Sequence, residues 1–98
     1  MSFSVRESNH QNNLMLNICD SDLLGKKIVD DKVTMNISKS YYCERIVEKE
    51  EAENLLKKSS SINMVGKETI SLSINLGIGS SQGVKEINGI PFLLIFKM

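Results

Sequence analysis

Four groups capable of chemistry crowd the run Leu16-Asn17-Ile18-Cys19-Asp20-Ser21-Asp22-Leu23-Leu24-Gly25-Lys26: the Cys19 thiol, the carboxylates of Asp20 and Asp22, and the Lys26 ammonium. A cysteine nucleophile reacts as its thiolate, so Cys19 needs a base or cation beside it, and His10 or Lys26 are the candidates. Against this, Cys19 follows an apolar segment, where a buried thiol behaves as a small inert hydrophobe. Paired acids, Asp20 with Asp22 and Asp30 with Asp31, suit a hard cation or acid/base work. Adjacent acids in turns more often cap helices or stay solvated. Zinc needs four soft donors, and two cysteines with the single His10 supply three, without C-x-x-C or H-x-x-x-H spacing. Gly77-Ile78-Gly79 through Gly83 misses the dinucleotide-binding spacing by one residue and reads as a loop.

A second set is broader. Lys39, Tyr41, Tyr42 and Arg45 lie close together, with Lys26 and Lys27 before them and Lys67 after. Lysine and arginine hold phosphates, and a tyrosine ring stacks on an unpaired base. These seven residues are the candidate nucleic-acid contacts. One of the two adjacent tyrosines is expected to point inward and join the core.

The elements that position these groups follow from hydrophobic period. Phe3 to Arg6 and Leu14 to Cys19 read as strands, separated by a polar loop, Asn9 to Asn13. Asp20 and Ser21 can cap a short helical turn through Leu24, which Gly25 ends in a left-handed conformation. Asp30-Asp31 marks a turn before a strand in which Val33, Met35 and Ile37 alternate with polar residues. Tyr41 to Val47 reads as extended or irregular.

Glu48 to Lys58 is the clearest helix. Its acids lie at the start and Lys57-Lys58 at the end, matching the dipole, and Ala52, Leu55 and Leu56 form the apolar stripe. Thr69 to Ile78 is in conflict. Ile70, Leu72, Ile74, Leu76 and Ile78 alternate as in a strand, yet Gly66-Lys67-Glu68 opens the segment like a helix. Asn88-Gly89 is the preferred pair for a two-residue hairpin turn, here between Val84–Ile87 and Ile90–Phe96. The expected class is α+β, a single small domain with a mixed or antiparallel sheet and a C-terminal hairpin.

Composition sets the outer bounds. The chain has 98 residues, 41% hydrophobic and 24% charged, enough for one core without disulfide or metal. Twelve basic and twelve acidic residues cancel, so the overall charge gives no support to nucleic-acid binding, which usually shows as a basic excess. The start lacks the apolar core of a signal peptide, and the apolar run Ile90–Phe96 falls far short of the roughly 20 residues of a membrane helix. A cytoplasmic protein with reduced thiols at Cys19 and Cys43 is expected, without a membrane partner, a cofactor or an identifiable small-molecule substrate.

The chain also resembles a known family. Cys19-Asp20-Ser21-Asp22-Leu23-Leu24-Gly25-Lys26 is similar to the C-D-x-x-L-L-G-K stretch of a small archaeal family known as domain of unknown function 424. Ser40-Tyr41-Tyr42, Asn63-Met64-Val65-Gly66 and Gly89-Ile90-Pro91 resemble that family's serine-aromatic, N-L-V-G and G-V-P segments, in the same order. Two places depart: the family tends to carry glycine near Cys43-Glu44, and a histidine where this chain has Phe92. A catalytic role for that histidine therefore does not carry over. The resemblance implies a helix over 67–77 and a non-catalytic protein of the archaeal ribosome, on the small subunit, bound to ribosomal RNA and ribosomal proteins. The alternatives are a small enzyme acting on RNA or a nucleotide through Cys19, Asp20 and Lys26, and a protein–protein adaptor using the 48–58 helix.

Overall fold

Strand-forming segments from both ends and from the middle of the chain build one sheet. The computed structural model describes residues 2–97; the side chains of Asp30 and Val33 lie outside the described set. Strands β1 (Ser2–His10) and β2 (Asn13–Asp20) pair antiparallel from Phe3↔Asp20 to His10↔Asn13. The loop expected over Asn9–Asn13 is instead a two-residue turn, with Gln11 at φ 53° and Asn12 at φ 69°. Asparagine tolerates that region, and the longer ladder pairs backbone groups a loop would leave to water.

A turn of 3-10 helix, Ser21–Leu23, follows, and Gly25 takes the expected positive φ of 88°. Strands β3 (Lys27–Asp30) and β4 (Val33–Asn36) make a separate hairpin. Helix α1 (Lys39–Tyr42) and strand β5 (Arg45–Glu48) then occupy the region read from sequence as extended or irregular. Four residues are too few to form a helix by propensity alone. Tertiary bonds hold it: the Asn17 amide donates to the Tyr41 carbonyl at 3.0 Å, and the Arg6 guanidinium donates to the Ser40 carbonyl.

Helix α2 (Lys49–Lys58) lies where the charge pattern placed it and buries Ala52, Leu55 and Leu56. Its last carbonyls are satisfied by a cation, because Lys97 Nζ donates to Leu56 at 2.7 Å and to Lys57 at 2.9 Å. Strand β6 (Ser61–Val65) runs parallel to β2. Helix α3 (Lys67–Asn75) follows, two residues shorter than the expected 67–77. The chain closes with a 3-10 turn at Ser81–Gly83 and the hairpin of β7 (Lys85–Ile87) and β8 (Ile90–Phe96). Asn88 at φ 52° and Gly89 at φ 81° form its turn. The main sheet has the order β5-β1-β2-β6-β8-β7 and is mixed, which makes the class α+β.

The alternation in α3 loses for a visible reason. A strand would bury Ile70, Leu72 and Ile74 together, whereas the helix buries Thr69, Ile70, Leu72 and Ser73 and exposes Ile74. That set follows helical spacing. Its two hydroxyls are satisfied: Thr69 Oγ1 donates to Asp20 Oδ1 at 2.7 Å, and Ser73 Oγ donates to the Ile70 carbonyl at 2.8 Å.

Side chains alternate between the two faces of the sheet. On the first face Phe3, Val5, Leu16, Ile18, Ile62, Met64 and Leu93 pack against α2 and α3. On the second, a smaller cluster joins Cys19 and Val65 to Ile28, Ile37 and Tyr42 from the β3–β4 hairpin and α1. That hairpin covers only one end of the second face. The other end is open.

Candidate functional site

The open end is defined by strand register. Arg6, Asn17, Asn63 and Leu94 form one row across β1, β2, β6 and β8, and Ser8, Met15, Ser61 and Phe96 form the next. Both rows belong to the face opposite the main core, because Val5, Leu16, Ile18, Ile62 and Leu93 alternate with them and are buried. Phe96 is 72% exposed, Leu94 62% and Met15 44%. Tyr41, 58% exposed, stands at the edge of the same surface on α1. A shallow cavity of about 170 Å³ lies between Tyr41, Asn17, Asn63, Leu94 and Phe96.

Its polar groups are held in place. Asn17 and Asn63 are register partners on adjacent strands. The Asn17 amide donates to the Tyr41 carbonyl, and Asn63 Nδ2 donates to the Tyr42 hydroxyl at 3.0 Å. Each amide thus anchors α1 and still carries a carbonyl oxygen and a second N–H. Tyr41 leans on Tyr42, ring centroids 5.7 Å apart at 43°. The two rows contain one charged side chain, Arg6, and no carboxylate. Such a surface offers aromatic faces, paired amides and a cation together.

The Cys19–Lys26 run has a different role. Asp20 is buried, and its carboxylate accepts from Glu68 N at 3.1 Å, Thr69 N at 2.8 Å and Thr69 Oγ1 at 2.7 Å. It therefore caps α3, far away in sequence, and not the turn that follows it, which has no side-chain cap bond. Gly66, at φ +109°, makes this possible: a Cβ there would lie 2.3 Å from Asp20 Cγ. Gly66 N also donates to the Pro91 carbonyl at 3.0 Å. The C-D-x-x-L-L-G-K, N-x-V-G and G-x-P segments meet at this one junction, and its chemistry is capping.

Cys19 is fully buried in the second cluster. Burial foremost, and then the neighbouring Asp20 carboxylate, push its thiol up to about 12. Burial thus favours the thiol at neutral pH over the thiolate, the form that reacts. Both cysteines are free. Among the described residues, no three of His, Cys, Asp and Glu gather closely enough to hold a metal ion.

The seven candidate nucleic-acid contacts do not form one patch. Tyr41 joins the open face, and Lys39 is exposed at the start of the same helix. Tyr42 is 2% exposed with its hydroxyl bonded, so it has no face to offer a base; it is the inward tyrosine of the pair. Arg45 is drawn to the opposite face by carboxylates, with Glu51 at 2.7 Å, Glu7 at 3.3 Å and Glu44 at 3.5 Å. Its charge is answered within the protein. Lys26 and Lys27 are exposed where the β3–β4 hairpin begins, and Lys67 is exposed at the start of α3, beside the Asp20 junction. Arg6, Asn17, Asn63 and Phe96 were not singled out from sequence. Their signal was there: polar residues alternate with buried apolar ones in β2 and β6, and Phe92, Leu94 and Phe96 share one face of an apolar run.

Among the described residues no helix is long and apolar enough to cross a membrane. A solved structure described as an uncharacterized conserved protein from Methanopyrus kandleri has a similar fold, with a TM-score of 0.79 and 19% identity, covering 100% of this chain and 95% of that one. No curated protein matches. The family model described as a protein of unknown function, DUF424, matches residues 8–98, and the chain belongs to that family.

Proposed function

We propose that the protein is a non-catalytic translation factor or ribosomal protein of the archaeal cytoplasm, held on the small subunit by ribosomal RNA and neighbouring proteins. The observation that carries the reading is the open end of the second sheet face, where Tyr41, Phe96, Asn17 and Asn63 surround a shallow cavity beside Arg6. The family likeness in sequence points the same way. A protein of zero formal net charge is held by a few phosphate contacts and by shape, not by threading through RNA as a basic tail does. Those few contacts make its attachment weaken as salt rises, less steeply than that of a strongly basic protein.

A binder is favoured over an enzyme on particular residues. In the Cys19–Lys26 run the thiol is buried, Asp20 is engaged with α3, and Lys26 extends from the hairpin side. The test is sedimentation of native cell extract carrying the tagged protein. At low salt it is expected in the small-subunit fractions, leaving them as salt is raised or ribonuclease is added. Recovery of all the protein in light fractions at low salt would overturn the reading.

A further inference from the structure

The open face differs from an ordinary solvated sheet in what it exposes. Two aromatic rings, Tyr41 and Phe96, border one cavity, and both are more than half exposed. Beneath them lie two amides in register, Asn17 and Asn63, each oriented by a bond to α1. Arg6 ends the same row, with its guanidinium directed to α1 and N–H groups left over for a second acceptor. Lys39 is exposed one residue from the Ser40 carbonyl that Arg6 holds.

Resting on the ribosomal reading above, we propose that this face binds a short unpaired segment of RNA, with bases on Tyr41 and Phe96 and their edges toward Asn17 and Asn63. Each part follows from chemistry. A base offers its flat face only when it is unpaired, and aromatic rings then stack on it. A side-chain amide holds a donor and an acceptor side by side, which suits a base edge. Arg6 and Lys39 supply the positive charge a phosphodiester chain needs, and the two rows contain no carboxylate to repel it. Met15 and Leu94 form an apolar floor that a base covers as well as a side chain would. An acidic peptide would meet the same two cations but brings no run of flat bases to the exposed rings, and a second copy would bring a patch of one sign against itself. Charge and ring exposure together favour the RNA strand.

The backbone that carries both rings is fixed, at Tyr41 by the carbonyl bond from Asn17 and at Phe96 by the β6–β8 ladder at Ser61↔Phe96, and the Tyr41 ring also leans on Tyr42. Little backbone ordering is then needed on binding.

The experiment is fluorescence anisotropy with the full chain and labelled octaribonucleotides, single-stranded and as the matching duplex, at low and moderate salt. The single strand is expected to bind at least about tenfold tighter than the duplex. Tyr41→Ala and Phe96→Ala are each expected to weaken single-strand binding by about 5- to 150-fold, and Phe96→Trp to retain it. Both rings are largely exposed, so unchanged urea midpoints for the alanine variants show that the fold is kept. Equal affinity for duplex, or alanine variants that bind like the parent, overturns the inference while small-subunit sedimentation still stands. Absence of the protein from subunits overturns the ribosomal reading on its own evidence. A concentration-dependent dimer broken by Phe96→Ala assigns the face to a protein partner and also overturns the inference.

Discussion

The most demanding prediction concerns the junction of Asp20 and Gly66. Gly66 sits at φ 109° and ψ 153°, a region open almost only to glycine, which costs another residue about 1–3 kcal/mol. In Gly66→Ala the new Cβ would also lie 2.3 Å from Asp20 Cγ and 2.5 and 2.6 Å from its oxygens. The carboxylate must swing away, leaving two backbone N–H groups and the Thr69 hydroxyl without their acceptor. Losing a cap costs about 1–2 kcal/mol, and a hydrogen bond to a charged group about 1.5–3, so displacement of Asp20 costs roughly 2–3 kcal/mol. Gly66→Ala should therefore destabilise by about 4–5 kcal/mol, and Asp20→Ala by roughly 2–3, against a typical domain stability of about 5–15 kcal/mol. The two are not additive. Once Asp20 is alanine, the clash is gone and Gly66→Ala adds only the backbone term, about 2 kcal/mol. Urea denaturation of the parent, both single variants and the double variant gives the cycle. A coupling of about 2 kcal/mol, with the double variant near Gly66→Ala alone, is expected. Strict additivity would show that the carboxylate and Gly66 do not share the space, and the capping account would fall.

Other expectations follow from the same structure. With iodoacetamide at pH 8, Cys43 should react in the native protein and Cys19 only after denaturant is added; rapid double labelling without denaturant would contradict the burial of Cys19. Cys19 ionises at about 12 when folded against 9.0 as a free thiol, so its contribution to stability is complete below pH 9 and is lost as pH rises toward 12. The Tyr42 phenol, raised mainly by burial, adds to this alkaline loss above its ordinary 10.0. Urea midpoints should fall between pH 9 and 11, by up to about 1.4 kcal/mol per pH unit for one group, and Cys19→Ala should flatten the slope near pH 9–10. Arg45→Ala should cost under about 1 kcal/mol, and less in strong salt, because Arg45, Glu44 and Glu51 are exposed and only Glu7 is half-buried. Tyr42→Phe should cost about 1 kcal/mol in the same urea assay, since it leaves Asn63 Nδ2 without its acceptor, and a larger loss would mean that α1 detaches.

Local chemistry made much of the fold legible. The acid-to-base polarity of Glu48–Lys58, the strand at Leu14–Cys19 and the Asn88-Gly89 turn are signals carried by neighbouring residues, and each lies where the sequence places it. Helix α1 was not legible, because its four residues are held by Asn17 and Arg6 from other strands. Nor was the shared site. Arg45 and Tyr41 are four residues apart in the chain yet face opposite sides of the sheet, one among carboxylates and one at the open cavity.

The class of fold, the family and the polarity of the helices are legible in the residues alone, since periodicity, capping and turn chemistry act over a few residues. The sequence also carries the motif Cys19–Lys26, but not the meaning of that motif. The capping of α3 by Asp20 from 48 residues away, the helix that overrides its own alternation, and the strand residues that line an open face emerge only when the chain is folded. Those are questions of register and long-range hydrogen bonding: a carboxylate or an amide acquires its role from the partner that folding brings to it.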